Sequence, residues 1–133
     1  MKYEFTSDLV TGNQLIDSEH RHLLDTINDL MDACGQGKGR EKSMEVFRYL
    51  LSYVNKHFAD EEKLQARANY PEFAAHKQFH DNYKKTLEGM SQSLLADGPT
   101  VKTLGALNQQ VAVLVSHIRM MDKKMAKYLR EHS

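Results

Sequence analysis

Four stretches of apolar residues, spaced three and four apart and fenced off by glycine or proline, constrain this chain more than any other feature. Such spacing gathers the apolar side chains of a helix on one stripe, which has to be buried against a neighbour. The first stripe is Leu23, Leu24, Ile27, Leu30, Met31 and Cys34, and the second is Phe47, Leu50, Leu51, Val54, Phe58 and Leu64. The third carries Phe73, His76, His80, Tyr83, Leu87, Met90 and Leu94. The fourth carries Leu104, Leu107, Val111, Leu114, Ile118, Met125 and Leu129. Asp17 or Ser18 is placed to cap the first helix, and Gly35, Gly37 and Gly39 to end it in a loop. The second helix is expected from about Arg40 to Ala66, the third with Pro71 in its first turn. Asp97-Gly98-Pro99 breaks the third, and Thr100 caps a fourth that runs to about Arg130. Short connections make neighbours antiparallel, so the expectation is all-α: an up-down-up-down four-helix bundle with an N-terminal arm over residues 1–16. One domain over residues 1–133 accounts for the whole pattern.

Composition narrows the function classes. With 18 basic and 18 acidic side chains the formal charge is zero, which argues against a nucleic-acid partner or an acidic membrane surface. The longest apolar run, Val111 to Val115, is too short to span a bilayer. Residues 1–10 carry Lys2, Glu4 and Asp8 and lack the apolar core of a signal peptide. Cys34 is the single cysteine, so no intramolecular disulfide forms, and a cytoplasmic location is expected.

The chain has seven histidines, and five of them fall on the inner stripes. His20 lies one turn before Leu23 and Leu24, His57 three after Val54, His76 and His80 between Phe73 and Tyr83, and His117 three after Leu114. Two acids join them: Glu61 four after His57, and Asp122 five after His117. Residues four apart project about 40° from one another on a helix, so His57/Glu61 and His76/His80 can each aim at a common point. A lone core histidine is more often a hydrogen-bonded structural residue than a ligand. Five imidazoles and two carboxylates in one apolar core are different, because each would need a buried partner. A cationic metal centre satisfies all of them. Seven ligands exceed one transition metal, whereas two carboxylates can each bridge a pair. Imidazole with carboxylate oxygen suits iron, manganese or zinc without choosing between them. The five-residue step from His117 to Asp122 puts the two about 140° apart in a regular α-helix. Both face one metal pair only if the turn widens to i→i+5 bonding.

Other polar residues are set aside. His22 should face solvent, two residues from His20, and His132 lies in the tail. Glu62 should point to a solvated face beside Lys63, and Cys34, Met120, Met121 and Met125 are expected to fill space.

Gly12, Ile16-Asp17-Ser18-Glu19-His20, His57-Phe58-Ala59-Asp60-Glu61-Glu62, Tyr70-Pro71 with His76 and His80, and His117-Ile118-Arg119-Met120-Met121-Asp122 together resemble the hemerythrin family. The likeness is greatest to its bacterial members, the bacteriohemerythrins, and spans residues 8 to 130. The arm departs from the family pattern in carrying Tyr3 and Phe5 where a tryptophan is frequent. The resemblance implies a non-haem centre of two iron ions that binds dioxygen reversibly, for storage, delivery or sensing. It implies His76, His80 and His117 on one iron, His20 and His57 on the other, with Glu61, Asp122 and a solvent-derived oxo or hydroxo group bridging. On that assignment the three-histidine iron has six ligands and the two-histidine iron five, which leaves one position for dioxygen. A dry lid over it is expected from Leu114, Ile118 and Phe58, each flanking a ligand. The expected partner is therefore dioxygen, and the protein is read as a binder, not an enzyme. The competing readings are a diiron oxidase, peroxidase or nitric-oxide-handling enzyme, the sensing domain of a signalling system, and a structural zinc bundle. Five neutral imidazoles against two carboxylates disfavour cleavage of the O–O bond, because anionic ligands are what stabilise higher oxidation states.

Overall fold

The computed structural model describes residues 3–35 and 39–132. Gly37, part of the expected first loop, lies outside the described residues. Helix α1 spans Gln14–Gly35, α2 Gly39–Arg67, α3 Phe73–Asp97 and α4 Val101–His117. A π-helical turn, Ile118–Asp122, joins α4 to α5, Lys123–Glu131, so that the three form one continuous fourth arm. α1 packs on α2, α2 on α3, α3 on α4, and α4 back on α1, which closes a four-helix bundle. Among the described residues no helix is long and apolar enough to cross a membrane.

Local chemistry fixes where these helices begin and end. α1 starts at Gln14, one turn earlier than Asp17 or Ser18 would place it. Asn13 is the cap, its side chain accepting from the Ile16 amide at 3.0 Å. Asp17 instead turns back to the arm and accepts from the Thr11 amide and hydroxyl. The end of α2 is a Schellman turn: Tyr70 N–H reaches Gln65 O, Asn69 N–H reaches Ala66 O, and Asn69 takes a positive φ of 55°. Pro71 lies in the turn before α3 and not inside its first turn, because Glu72 occupies the cap position. Thr100 caps α4 as expected, accepting from the Thr103 amide.

The histidine layer divides the core in two. On one side lies the large cluster that includes Leu23, Val54, Phe58, Tyr83, Leu114 and Ile118. On the other lies a small one of Ile16, Tyr70, Met125 and Leu129 with Leu64 packed against it. Each arm crosses from one cluster to the other at its histidines or acids, and the direction of crossing alternates from arm to arm, as an antiparallel bundle requires. The N-terminal arm docks across the π turn. Leu9 is buried, Asp8 pairs with Arg119, Lys123 donates to Asp8 O, and Arg130 donates to Thr11 O. Gly12 allows this clasp: its φ is +91°, and a Cβ there would lie 2.6 Å from the Arg130 guanidinium.

Candidate metal centre

Five imidazoles and two carboxylates from all four arms meet in the gap between the two clusters, each at most 4% exposed. His20 comes from α1, His57 and Glu61 from α2, His76 and His80 from α3, His117 from the end of α4 and Asp122 from the end of the π turn. The wide turn is present where the five-residue spacing requires it. The amide of Lys123 donates to Ile118 O, five residues back, and Asp122 thereby faces the same space as His117. Its Oδ1 lies 3.1 Å from His117 Nε2.

The seven side chains fall into two groups whose donor atoms lie within 4.8 Å of one another: His76, His80, His117 and Glu61, and His20, His57, Glu61 and Asp122. The carboxylates divide their oxygens between the groups. Glu61 Oε2 faces His57 at 3.2 Å and His20 at 3.5 Å, while Oε1 faces His80 at 3.1 Å and His76 at 3.6 Å. Asp122 Oδ2 lies 3.0 Å from His20, while Oδ1 lies 2.9 Å from His76.

These contacts are crowded but poorly satisfied. The Nε2 atoms of His20, His57 and His80, both oxygens of Glu61 and Oδ1 of Asp122 are buried without a well-formed hydrogen bond. Orphaned buried groups are costly, and six such atoms on five residues that point at one space fit a bound cation. The spacing agrees: His76 and His117 Nε2 atoms are 3.1 Å apart. Two cis ligands on metal–imidazole bonds of about 2.1 Å would stand about 3 Å apart. Burial works hardest against charge on His57, yet Glu61 and Glu19 outweigh it and push its imidazole up to about 10. His76 is pushed up to about 9 against the same burial, by Asp122 and Glu61. Glu61 and Asp122 are held well below the usual carboxylate range: burial opposes their charge, and the surrounding imidazoles overcome it.

A second layer orients the first. Glu19 Oε1 accepts from His57 Nδ1 at 2.8 Å, and Lys56 holds its other oxygen at 2.8 Å. Glu62 Oε2 accepts from His80 Nδ1 at 2.9 Å, with Lys77 at 3.6 Å from Oε1. The solvated placement expected for Glu62 is thus overturned, because His80 offers it a stronger partner than water. Glu19 is buried and was legible only as a charge near the start of a helix. Its position three after Ile16, on the inner stripe, is the signal for it. A proton donated from Nδ1 to a carboxylate leaves Nε2 free as a ligand atom.

Aromatic rings seal one side. Phe58 stacks on His80 at 3.8 Å and Phe79 on His117 at 3.8 Å, both nearly parallel. Phe58 therefore lies flat on the three-imidazole group, 5.8 Å from the ring of His57. Phe79, three after His76, was not singled out from the sequence. Leu114 and Ile118 are fully buried beside His117. Met125 and Cys34 fill space as expected, but Met120 is 72% exposed because the π turn swings it outward. His132 is exposed, and His22 is half-buried against α2, neither one in the cluster.

The profile of a family described as Hemerythrin HHE cation binding domain matches residues 11–129. A bacteriohemerythrin of Pseudomonas aeruginosa is 43% identical over 74 residues, which cover 56% of this chain and 48%, about half, of that relative. A bacteriohemerythrin of Stenotrophomonas maltophilia is 30% identical over 125 residues, 94% of this chain and 80% of its own. A myohemerythrin of Theromyzon tessulatum is 25% identical over 122 residues, 92% of this chain and 89% of its own. The crystal structure of a hemerythrin leucine-to-alanine mutant superposes with a TM-score of 0.85 at 25% identity, covering 96% of both chains.

Proposed function

The chain belongs to the hemerythrin family, and on that premise we propose that it binds dioxygen reversibly at two iron ions held by His20, His57, Glu61, His76, His80, His117 and Asp122. The observation that carries the reading is the division of each carboxylate between two groups of imidazoles. A bridging role for Glu61 and Asp122 accounts for it directly; a single ion would not. When bound, such a pair supplies the two electrons that reversible uptake of dioxygen needs.

The residues make the two halves unequal. His76, His80 and His117 with one oxygen from each acid offer five donors, whereas His20 and His57 with the other two oxygens offer four. The poorer half has room for an exogenous ligand. Glu19 and Glu62 hold the rings of His57 and His80 so that Nε2 faces inward. Leu114 and Ile118, fully buried beside His117, would keep water and protons from the centre, which is what separates reversible binding from loss of reduced oxygen. Phe58 and Phe79 cover the richer half. Five imidazoles to two carboxylates favour this reading over an oxygen-activating oxidase.

An absorption spectrum tests it. Protein reduced without air, then exposed to air, should develop the peroxide-to-ferric charge-transfer band and lose it under vacuum. A colourless, air-insensitive protein would leave a zinc bundle as the reading; a band that forms once and never reverses would leave an oxidase.

A further inference from the structure

Two helix seams border the half of the centre that offers four donors. His20 belongs to α1 and His57 to α2, and the seam between these helices is closed by their own side chains: Lys56 of α2 holds Glu19 of α1, and the ring of His22 lies against that of Tyr53. The other seam separates α1 from α4, which carries Leu114 and leads into Ile118. Of the four pairs of neighbouring helices, α1 and α4 approach each other least.

The N-terminal segment fills this second seam. The Tyr3 amide donates to Asn28 of α1 at 2.8 Å and its carbonyl accepts from the same side chain at 2.7 Å, while its hydroxyl donates to Asn108 of α4. Phe5 lies under the guanidinium of Arg21 on α1, 4.7 Å from it, and Leu9 is buried in the apolar cluster that holds Leu114 and Ile118. Asp8 pairs with Arg119 of the π turn, and Thr11 is held by Asp17 of α1 and Arg130 of α5. These anchors bracket the poorer half on both walls. His20 and Leu24 lie between Asp17 and Asn28, and Leu114 and Ile118 lie between Asn108 and Arg119. The anchors differ in strength. Asp8 and Arg119 are each about half exposed, and an ion pair so placed contributes little. A short segment held by one buried leucine and a few polar contacts opens at lower free energy than the helices beneath it. A close-packed interior admits even a diatomic molecule only when something moves.

We propose that residues 3–12 gate the dioxygen site: small molecules enter and leave between α1 and α4 when this segment lifts, and its contacts with Asn28 and Arg119 latch it. The inference rests on the diiron reading above. The polar contacts of the segment all fall on residues outside the seven ligand candidates. Loosening it therefore changes how often the way opens, and leaves the free-energy difference between bound and free dioxygen as it was. Association and release quicken by one common factor, and their ratio stays constant. Water uses the same opening, so irreversible oxidation quickens with them.

The double variant Asp8→Asn/Asn28→Ala removes the ion pair and both backbone contacts of Tyr3 without altering a ligand candidate or the Leu114 lid. Hydrogen exchange of the zinc-loaded protein, read by mass spectrometry, follows the segment with no oxygen chemistry involved. Amides of residues 3–12 should exchange about five-fold faster or more in the variant, and those of α2 and α3 at the parental rate. In iron-loaded protein, stopped-flow mixing with dioxygen and with a dioxygen scavenger should show association and release both faster by about that factor, at an unchanged ratio. Leu9→Ala, which loosens the segment from its apolar side, should act in the same direction. Unchanged exchange of residues 3–12 in both variants overturns the latch and the proposal with it. Faster exchange with unchanged dioxygen rates overturns the gate and leaves the diiron reading standing. A change in release alone, which shifts the ratio, places the effect at the metal site and also overturns the gate. Protein that takes up no iron, or never releases dioxygen, overturns the diiron reading and the gate together.

Discussion

His57 and His80 are each held by a carboxylate from outside the cluster, and this pairing sets how firmly a metal would be gripped. Replacing Glu19 by Gln keeps the size but removes the charge that fixes the His57 tautomer. Outer partners of this kind are worth about 10–100-fold in metal affinity. Glu19→Gln should therefore release metal to a chelator at 10–100-fold lower chelator concentration, and equal retention would show that Glu19 is a surface anchor for Lys56 only. The Leu114 side chain is 1% exposed beside His117. Leu114→Ala should retain both irons and still bind dioxygen, but oxidise irreversibly much faster as water enters. The cavity should cost about 2–5 kcal/mol, so lifetimes have to be compared well below melting. An oxygenated form as long-lived as that of the parent would remove Leu114 from the lid. The ligand candidates were legible because each sits on an apolar stripe, where a polar residue needs a reason. Glu62 and Phe79 were not, since their partners, His80 and His117, are reached across the bundle and only packing reveals them.

The fourth arm shows how spacing is converted into shape. His117 and Asp122 are five apart, and the π turn is the local answer to that count. Met120 projects from this turn into solvent, 72% exposed. Deleting Met120 would bring the two residues four apart, about 40° around a regular helix, which serves the same direction. Metal binding should survive the deletion, with the π turn replaced by unbroken α-helix and a melting temperature no lower than the parent's. Loss of metal on deletion, with the helix intact by circular dichroism, would mean that the wide turn itself shapes the site. Element existence was legible from the stripes and breaks, and the wide turn from the count alone. The start of α1 was misplaced because Asn13 and Asp17 are equally good caps in sequence. The choice is made by Thr11, whose amide and hydroxyl claim Asp17.

Among the described residues the polar layer lies between the two apolar clusters, so on the proposed diiron reading the metals would belong to the fold as well as to the function. Removing them leaves buried groups that protons satisfy only in part. A ligand present at about 100 times its Kd adds about 2.7 kcal/mol, which in a chain of this size is about 10 °C. The metal-free form should melt lower by at least about that much, and scanning calorimetry of both forms checks it; identical melting would uncouple the centre from the fold. The most direct measurement of the central claim is the ratio of dioxygen released under vacuum to iron bound, followed over repeated cycles of air and evacuation. Two irons per chain, one dioxygen released for every two irons, and a ratio that holds from cycle to cycle are the predicted result. Dioxygen consumed without being recovered, or a chain saturated by a single ion, would contradict the account.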